Sequence, residues 1–395
     1  MKILVVTPKY YPDNFPIIPI CETFASLGHD VTVITSFPFD ATGDYLQSFP
    51  LDEIYNGVNI HRVVARPRGR TRSSLIKNYI SVGKELERWC KSTNEEFDIV
   101  YTYGISPVTT FKAGRAYKKR FPNAKLVGHV LDIWPENVVA AGFTSRISLL
   151  YRYLYRLSKK LYSSLDEIVV GSPSFISYFK TVLNITDKRF HYINQPGLIS
   201  KQDEYDNPYN DSNIKFLYSG NISTLQCIDY LVKAFELANI PNTSLYIIGN
   251  GKDANLLLNQ IKESNRKDDI HYIEGMSYKD LAPYIYHADA SIVSLKNETF
   301  TGKTIPNKLI SSMFYGKPII GMISGDGKNV IVESGGGFIV DQSIVSLSEG
   351  FNKIAALSSE DKSLMIKHNT EYYCQNFDVN IIVDKLLSVF NSKQI

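Results

Sequence analysis

A lysine-rich segment in the C-terminal third combines positive charge with the expected start of a short helix. It reads TGKTIPNKLISSMFYGKP over residues 301–318, with Lys308 inside the predicted helix and Lys303 and Lys296 before it. The residues expected to shape the helix are Thr304 as N-cap, Pro306 in the first turn and Gly316 as the C-terminal stop. Ammonium groups and a helix N-terminus both attract anions, so the segment predicts a diphosphate site. A solvated lysine face on a structural helix would show the same pattern.

A glycine-containing turn upstream is a second candidate phosphate site. Residues 218–226, YSGNISTLQ, lie between a predicted strand and a predicted helix. Glycine in such a turn lets a phosphate approach the backbone, and the helix start adds unpaired N–H donors. Gly220, Asn221 and Gln226 are therefore expected to contact a diphosphate, although a turn used only for chain reversal would contain the same residue types. The stretch 249–251, GNG, lacks the third glycine of a dinucleotide fingerprint and is interpreted as a turn.

Polar side chains of another type follow a buried strand in the front half. Residues 126–142, LVGHVLDIWPENVVAAG, contain His129, Asp132, Trp134 and Glu136. An indole can stack on a sugar ring while carboxylates accept hydrogen bonds from its hydroxyls. Either carboxylate could also take a proton from an attacking hydroxyl, so Asp132 and Glu136 are the predicted catalytic residues. The alternatives are a core position for His129 and a helix-capping role for the two acids.

The loop after the first strand is a further candidate for substrate contact. It reads PKYYPDNFP over residues 8–16, and its Tyr11 and Asn14 are expected to face an acceptor together with His129 and Trp134. Loops at this position of α/β proteins commonly carry binding residues. Tight packing of an aromatic loop would explain the same composition.

Basic residues are concentrated in the front half. Residues 1–195 contain 25 Lys and Arg against 17 Asp and Glu, whereas residues 196–395 contain 18 against 23. Two clusters stand out, namely Arg66, Arg68, Arg70 and Arg72, and the acid-free segment 145–162 (SRISLLYRYLYRLSKKLY). Basic residues interleaved with Tyr and Leu at helical spacing suit contact with an anionic membrane surface, while a domain helix with a solvated basic face would look similar. No nucleic-acid-binding motif accompanies the charge, so nucleic acid is not an expected partner.

The elements that position these residues alternate between β-branched strands and amphipathic helices, which predicts the α/β class with parallel sheets. The rhythm breaks at residues 196–213, which are rich in Asn, Asp, Pro and Gly, and then restarts. We therefore expect two Rossmann-like, doubly wound domains facing a central cleft, at 1–195 and 214–358, joined by a linker at 196–213. The helical tail 359–395 is expected to pack across the domain junction.

Length and composition exclude several classes. A chain of 395 residues suits two or three domains, and 44% hydrophobic with 21% charged residues argues against collagen-like, coiled-coil and wholly disordered proteins. No apolar run approaches the roughly 18 residues of a membrane span. Met1 leads directly into KILVV rather than a secretory signal, so a cytoplasmic location is expected. The four cysteines lack CxxC pairing, which favours reduced thiols over a disulfide framework or zinc ribbon.

Four segments together resemble the family 4 glycosyltransferases of the GT-B fold, and specifically the branch with bacterial fucosamine transferases of O-antigen and capsule assembly. They are MKILVVTPKYYPDN with LGHDVTVIT, then LDIWPENVVAAG, YSGNISTLQ, and ADASIVSLKNETFTGKTIPNKLISSMFYGKPII. The resemblance implies transfer of a sugar from a UDP-sugar to a hydroxyl, with retained anomeric configuration and without a metal or other cofactor. It also implies a polyprenyl-diphosphate-linked saccharide as acceptor, at the inner face of the cytoplasmic membrane.

The resemblance also assigns roles to residues. It implies that Asp132 and Glu136 face the transferred sugar or the acceptor hydroxyl. The implied donor-binding residues are Gly220, Asn221, Gln226, Glu274, Lys303, Thr304, Pro306, Lys308 and Ser311. Many members of the family carry two glutamates that correspond here to Lys303 and Ser311, and a basic pair that corresponds to Asn221 and Gln226.

These departures leave the lysines to supply most of the charge for the diphosphate. Lys308→Ala is therefore expected to weaken donor binding far more than Lys252→Ala. Two other activities remain compatible with the sequence, a GT-B nucleotide-sugar epimerase and a sugar-nucleotide-binding subunit without catalysis. Release of UDP only in the presence of acceptor would exclude the first, and any turnover of donor would exclude the second.

Overall fold

The computed structural model describes residues 1–39, 43–46, 49–69, 71–197, 204–297 and 304–393. The chain divides into two compact units, one formed by Met1–Pro196 with Val379–Ile395 and the other by Gly197–Asp378. Each unit is built around a largely parallel β-sheet, so the predicted α/β class with two Rossmann-like domains is confirmed.

The first unit contains a sheet whose strand order is β3-β4-β2-β1-β5-β6-β7-β8. Its strands are β1 Lys2–Val6, β2 Asp30–Ser36, β3 Asp52–Tyr55, β4 Val58–Val63, β5 Ile99–Gly104, β6 Lys125–Val130, β7 Glu167–Val170 and β8 Arg189–Tyr192. Its helices are α1 Ile17–Ser26, α2 Arg72–Ser92, α3 Phe111–Arg120, α4 Glu136–Ala140, α5 Leu149–Tyr162, α6 Pro173–Thr181 and, from the end of the chain, α14 Val379–Asn391. All neighbouring strands are parallel except β3, which pairs antiparallel with β4.

The second unit contains a sheet with the order β11-β10-β9-β12-β13-β14, all parallel. Its strands are β9 Ile214–Ser219, β10 Thr243–Ile248, β11 Ile270–Ile273, β12 Ala290–Ser294, β13 Ile319–Met322 and β14 Gly337–Ile339. Its helices are α7 Ile228–Ala238, α8 Ala254–Glu263, α9 Tyr278–His287, α10 Asn307–Phe314, α11 Gly325–Ser334, α12 Ile344–Ala355 and α13 Ser359–Asn376.

The strand order of each sheet identifies where a ligand is expected. The order runs outward in opposite directions from a pair of central strands, which are β1 and β5 in the first unit and β9 and β12 in the second. Open parallel sheets bind ligands beyond the carboxyl ends of their strands at such a reversal. Strands inside the two sheets, such as β5 and β10, are buried along their whole length, as expected of strands covered by helices on both faces.

The two tail helices belong to different units. In α14, Leu386 and Phe390 are buried in the core of the first unit, and the Phe390 ring lies 5.5 Å from that of Phe24. The buried Lys125 ammonium caps the end of α14, because it donates to the carbonyl oxygen of Phe390 in the last turn at 3.3 Å and to that of Ser392 just beyond it at 2.7 Å. Helix α13 is held in the second unit by Asn369, whose amide donates to the carbonyl of Gly336 at 2.8 Å. The predicted packing of the tail across the junction stays a prediction.

The predicted alternation of strands and helices is present, and the elements that it does not predict include β3, β8 and α11, which have weak local patterns. Strand β3, DEIY, is short and half polar, and β8, RFHY, lacks β-branched residues. Helix α11 begins GDGKN, and glycine disfavours helix. The predicted N-cap Thr304 is wrong, because α10 begins at Asn307 with Pro306 as its N-cap. Since the residue before a proline avoids helical geometry, a helix is not expected to start at Thr304 and continue through Ile305.

Candidate functional site

The turn after β9 brings four predicted donor-site residues together at the reversal of the second sheet. Lys308, the second residue of α10, donates to the side-chain oxygen of Gln226 at 2.6 Å and to the Tyr218 hydroxyl at 3.0 Å. The Tyr218 hydroxyl in turn donates to the carbonyl of Asn221 at 2.8 Å. A β-carbon added to Gly220 would lie 3.3 Å from the Lys308 nitrogen, so this ammonium group lies directly beside the glycine turn.

The loop after β12 is tied to the same turn by its backbone. The amide of Lys296 donates to the carbonyl of Leu225 at 2.9 Å, and the Ser294 hydroxyl donates to the carbonyl of Gln226 at 2.6 Å. The carboxyl ends of β9 and β12 are therefore held together where a ligand is expected. Tyr218 and Ser294 were not predicted as site residues. Their positions at strand ends on either side of the reversal are the signal that could have indicated them.

The ammonium group of Lys308 has a lowered pKa. Burial lowers the pKa of its ammonium group to about 7, and the nearby Cys227 opposes this in part. Its amine also lies 4.3 Å from the centre of the Tyr218 ring, which favours the cation. A diphosphate beside this group would add negative charge and raise the pKa, because an opposite charge favours the protonated form. Above pH 7, an anion that binds at this site is therefore expected to do so together with protonation of Lys308.

The lowered pKa predicts how donor affinity depends on pH. Below pH 7 Lys308 is protonated in both free and bound protein, so the affinity for UDP-glucose should be constant. Above pH 7 binding must take up one proton, and the affinity should fall about tenfold per pH unit until the pKa of the bound state is reached. Calorimetric titration at several pH values, in buffers of different ionisation enthalpy, measures both quantities. An affinity that stays constant from pH 6 to pH 9 would contradict the assignment.

The stretch 249–251, which the sequence predicts to be a simple turn, also supports the turn after β9. We call that turn, residues 218–226, the phosphate turn. A β-carbon on Gly249 would lie 1.8 Å from the carbonyl oxygen of Gly220, and one on Gly251 would lie 2.0 Å from that of Ile222. The amide of Ile222 donates to the carbonyl of Asn250 at 2.9 Å. Only glycine fits at positions 249 and 251, because the backbone there lies directly against the backbone of Gly220 and Ile222. The GNG motif alone could not show this contact, because the sequence does not indicate which segment the motif packs against.

Gly251→Ala tests this support. The added methyl group has to displace the backbone of Ile222, so we expect the free energy of unfolding to fall by about 1–3 kcal/mol. UDP-glucose affinity should fall as well, because the phosphate turn moves. Chemical denaturation and calorimetry measure the two effects. The control is Gly142→Ala, because a β-carbon on Gly142 would have no atom within 4 Å. Its φ of +73° disfavours any side chain, so this variant should lose some stability but keep wild-type affinity.

Of the remaining predicted donor residues, Thr304, Pro306 and Ser311 lie at α10, whereas Glu274 lies farther from the turn. Pro306 caps α10, and Ser311 is buried one turn after Lys308. Thr304 precedes the helix and is partly buried. Glu274 is exposed after β11, two strands from β9, which corresponds to roughly 10 Å across the sheet. Lys303 lies outside the described residues, so its predicted contact stays a prediction.

The first unit has a pocket of about 500 Å³ beyond the carboxyl ends of β1, β2, β5 and β6. We call it the β1–β5 pocket. Its aromatic and proline walls include Tyr10, Phe15, Phe37, Phe39, Tyr79, Pro8 and Pro107, and its charged or polar residues include Lys9, Asp13, Arg68, Asn78, Ser106 and Asp132. Lys9 and Asp13 form an ion pair at 3.7 Å. Aromatic faces combined with a few polar groups are suited to binding a sugar.

Asp132 is the predicted site residue that lines this pocket. Its Oδ2 accepts hydrogen bonds from the backbone amide and the hydroxyl of Ser106, each at 2.8 Å. The Trp134 indole donates to the same Ser106 hydroxyl at 2.9 Å. Trp134 therefore acts on the pocket through Ser106, which orients the carboxylate. Ser106 was not predicted, although its place at the end of β5 was available from the strand pattern.

Glu136 does not share the position of Asp132. It is buried at the start of α4, where one carboxylate oxygen accepts from Arg146 at 2.7 Å and the other from the hydroxyls of Tyr151 and Tyr178. These contacts join α4, α5 and α6 and use both oxygens. The catalytic role predicted for Glu136 does not fit this position, because the carboxylate would have to give up its partners to meet a substrate.

Three predicted acceptor-side residues also lie elsewhere. His129 is fully buried in β6 between the Tyr101 hydroxyl and the carbonyl of Ile193, and burial lowers its pKa to about 3. An acceptor contact does not fit a buried neutral ring, so the alternative core position is the one observed. Tyr11 stacks on Tyr55 with ring centres 3.7 Å apart, and Asn14 is exposed outside the pocket lining. Their neighbours Tyr10, Asp13 and Phe15 line the pocket instead.

A pair of Rossmann-like units, one with a lysine beside a glycine turn and one with an aromatic pocket, is the arrangement of a two-domain glycosyltransferase. A glycosyl transferase 4-like domain model matches residues 19–194, and a model of glycosyl transferases group 1 matches residues 200–371. The chain belongs to the family 4 glycosyltransferases of the GT-B fold, a family of transferase enzymes. The predicted family is confirmed, and the fucosamine transferase branch stays a prediction.

Individual relatives are distant. The probable glycosyltransferase WbjE of Pseudomonas aeruginosa is 26% identical over 216 residues, which are 49% of this chain and 50% of WbjE. The match thus spans about half the length of that curated relative. Sucrose-phosphate synthase from Thermosynechococcus elongatus has a TM-score of 0.75 at 16% identity, covering 98% of this chain and 97% of that one. HepE of Anabaena, solved with UDP, has a TM-score of 0.67 at 14% identity over 100% of both chains. At these identities the solved structures show the fold.

Proposed function

We propose that the protein is a retaining glycosyltransferase that moves a sugar from a UDP-sugar to a lipid-linked saccharide in the assembly of O-antigen or capsule. The observation that carries the proposal is the Lys308 ammonium group, which lies against the Gly220 turn at the reversal of the second sheet. The UDP bound in the HepE structure supports the choice of nucleotide, and the four-segment resemblance supports the type of pathway.

The diphosphate is proposed to bind between the glycine turn and the start of α10. As the bond between the anomeric carbon and the diphosphate oxygen breaks, negative charge grows on the leaving group. Lys308 and the positive N-terminal end of the α10 dipole stabilise that charge, and such electrostatic stabilisation is a large contribution in a site shielded from water. A lysine in this place supplies the positive charge that a metal ion would otherwise provide, so the proposed reaction is independent of metal. Activity that survives chelation by EDTA would support this.

The acceptor sugar is proposed to bind in the β1–β5 pocket. Its aromatic walls suit a pyranose ring, and Asp132 is available to accept a hydrogen bond from a hydroxyl. The hydroxyl oxygen attacks the anomeric carbon on the face from which UDP departs, and its proton passes to the Asp132 carboxylate. A carboxylate that is held beside an attacking hydroxyl can act in this way as a general base.

A lipid-linked acceptor requires contact with a membrane surface. In the part of the chain that the structure describes, no helix has the length and apolar character needed to cross a bilayer. Peripheral contact through the basic front half, at the inner face of the cytoplasmic membrane, is the proposed arrangement. The acid-free α5 region and the arginines at 66–72 are the sequence features that support it.

The test begins with a thermal-shift screen of purified protein against UDP-sugars, since a ligand that binds the folded state raises the melting temperature. The UDP-sugar with the largest shift is then incubated with a polyprenyl-diphosphate-linked N-acetylhexosamine. We expect release of UDP only when acceptor is present, and a product with the anomeric configuration of the donor by NMR. Free sugar formed without acceptor would favour an epimerase, and binding without turnover would favour a binding subunit.

A further inference from the structure

A second cavity of the first unit is strongly basic. It measures about 510 Å³ and lies among α2, α3 and α5. Its charged lining residues are the cations Lys91, Lys112, Arg115, Lys119, Arg120 and Lys160 and the carboxylate Glu87. We call it the basic pocket. An excess of five positive charges around one cavity creates a local potential that attracts anions.

Internal ion pairs account for little of this charge. Glu87 pairs with Lys91 at 2.6 Å, and Arg120 donates to the side-chain oxygen of Asn94 at 3.3 Å. The other cations, Lys112, Arg115, Lys119 and Lys160, have no ion pair with any residue that the structure describes. Like charges held close together repel one another. An anion from outside the chain would relieve that repulsion.

An exposed apolar row runs along α5 to this pocket. Leu157 and Lys160 line the pocket, and Leu150 and Tyr153 lie on the same side of the helix at three- and four-residue spacing. The residue accessibilities of Leu150 and Tyr153 are 49% and 60%. Leu149, the first residue of α5, and Ile147, two residues before it, are 81% and 88% exposed. Large apolar side chains beside a group of cations are typical of a surface that enters the interface of an anionic membrane.

We propose that the basic pocket binds the phosphate headgroup of an anionic phospholipid while Leu150 and Tyr153 enter the adjacent interface. The charge of the pocket matches the phosphate, and the apolar row matches the region just below the headgroups. A soluble anion would match only the first of these features. This inference names the membrane partner of the proposed function and rests on it for its biological setting, but lipid binding itself needs no transferase activity.

Helix α2 connects the basic pocket with the candidate acceptor site. Tyr79 and Val82 of α2 line the β1–β5 pocket, while Glu87 and Lys91 line the basic pocket. At 1.5 Å per residue, the separation from Tyr79 to Lys91 is roughly 18 Å along the helix axis. Binding of a headgroup in the basic pocket would therefore hold the β1–β5 pocket close to the membrane that carries the acceptor.

The test measures binding of the full chain to vesicles by co-sedimentation. One set contains phosphatidylcholine with an equal part of phosphatidylglycerol, and the other contains phosphatidylcholine alone. The pocket variant combines Lys112→Gln, Arg115→Gln and Lys119→Gln. The control variant combines Lys233→Gln, Lys262→Gln and Lys279→Gln, which removes the same number of charges from exposed positions of the second unit. UDP-glucose affinity and melting temperature report whether each variant is folded.

We expect the pocket variant to bind the anionic vesicles at least about tenfold more weakly than wild type, because each basic residue near such a surface strengthens binding severalfold. The control variant should lose much less, and vesicles of phosphatidylcholine alone should bind wild type weakly. Equal losses in the two variants would overturn the proposal, because net charge alone would then explain binding.

A second pair of variants tests the apolar row without changing charge. Leu150→Ser with Tyr153→Ser should weaken vesicle binding, whereas Leu256→Ser with Leu258→Ser, at similarly exposed positions of α8, should not. Pocket-dependent binding of inorganic pyrophosphate, measured by calorimetry, together with vesicle binding that neither pair affects, would show a soluble anion site and overturn the proposal. Normal vesicle binding without sugar transfer would instead count against the proposed function alone.

Discussion

Lys308→Met is expected to weaken the binding of UDP-glucose roughly ten- to hundredfold. The substitution keeps an unbranched side chain that can pack on Tyr218 but removes the ammonium group beside the Gly220 turn. A hydrogen bond to a charged group contributes about 1.5–3 kcal/mol, which corresponds to that range of dissociation constants. Isothermal titration calorimetry at pH 6.5, where the wild-type lysine is largely protonated, measures the effect.

The matched control for this variant is Lys252→Met. Lys252 is exposed after β10 and takes part in none of the hydrogen bonds that join Lys308 to the phosphate turn. Its substitution should change the affinity less than about twofold, as expected for a screened surface charge. The pH dependence of binding above pH 7 should also disappear in Lys308→Met and persist in Lys252→Met. Similar losses in both variants would show that the diphosphate binds elsewhere.

The fold could be predicted from the sequence because its strands are short apolar runs at regular intervals. A parallel sheet places all carboxyl ends at one edge, so residues after different strands could be grouped without knowing any contact. This is why Gly220 and Lys308, which are far apart in the chain, were both assigned to one diphosphate site. The structure brings them together through Gln226 and Tyr218.

The direction of a side chain could not be predicted from its residue type. Asp132 and Glu136 lie four residues apart, and the sequence predicts the same catalytic role for both. The turn after β6 leaves Asp132 at the pocket, whereas the short α4 turns Glu136 towards Arg146 and two tyrosines. His129 is buried for a similar reason, since it points into the core from within β6. Such differences depend on tertiary packing, which a motif does not specify.

Contacts between two backbone segments could not be predicted from the sequence either. The sequence around Gly249 and Gly251 predicts only a chain reversal, yet each glycine leaves space for a carbonyl oxygen of the Gly220 turn about thirty residues away. The basic pocket is another example, because its cations come from three helices, α2, α3 and α5. In the sequence the charges of α2 and α3 appear as ordinary solvated faces, and only the packing of the helices collects them around one cavity.

Asp132→Asn is expected to lower the rate of sugar transfer by about a hundred- to ten-thousandfold, the range typical of a lost general base. Asparagine has the same shape, and its side-chain oxygen can still accept both hydrogen bonds from Ser106. The affinity for UDP-glucose should be unchanged, because the phosphate turn lies in the second unit. The control is Asp13→Asn, which changes a carboxylate of the same pocket that is paired with Lys9 and should reduce the rate far less. Initial rates of UDP release with the lipid-linked acceptor measure both variants. A rate for Asp132→Asn close to that of wild type would assign the proton of the acceptor hydroxyl to another group, such as the departing diphosphate.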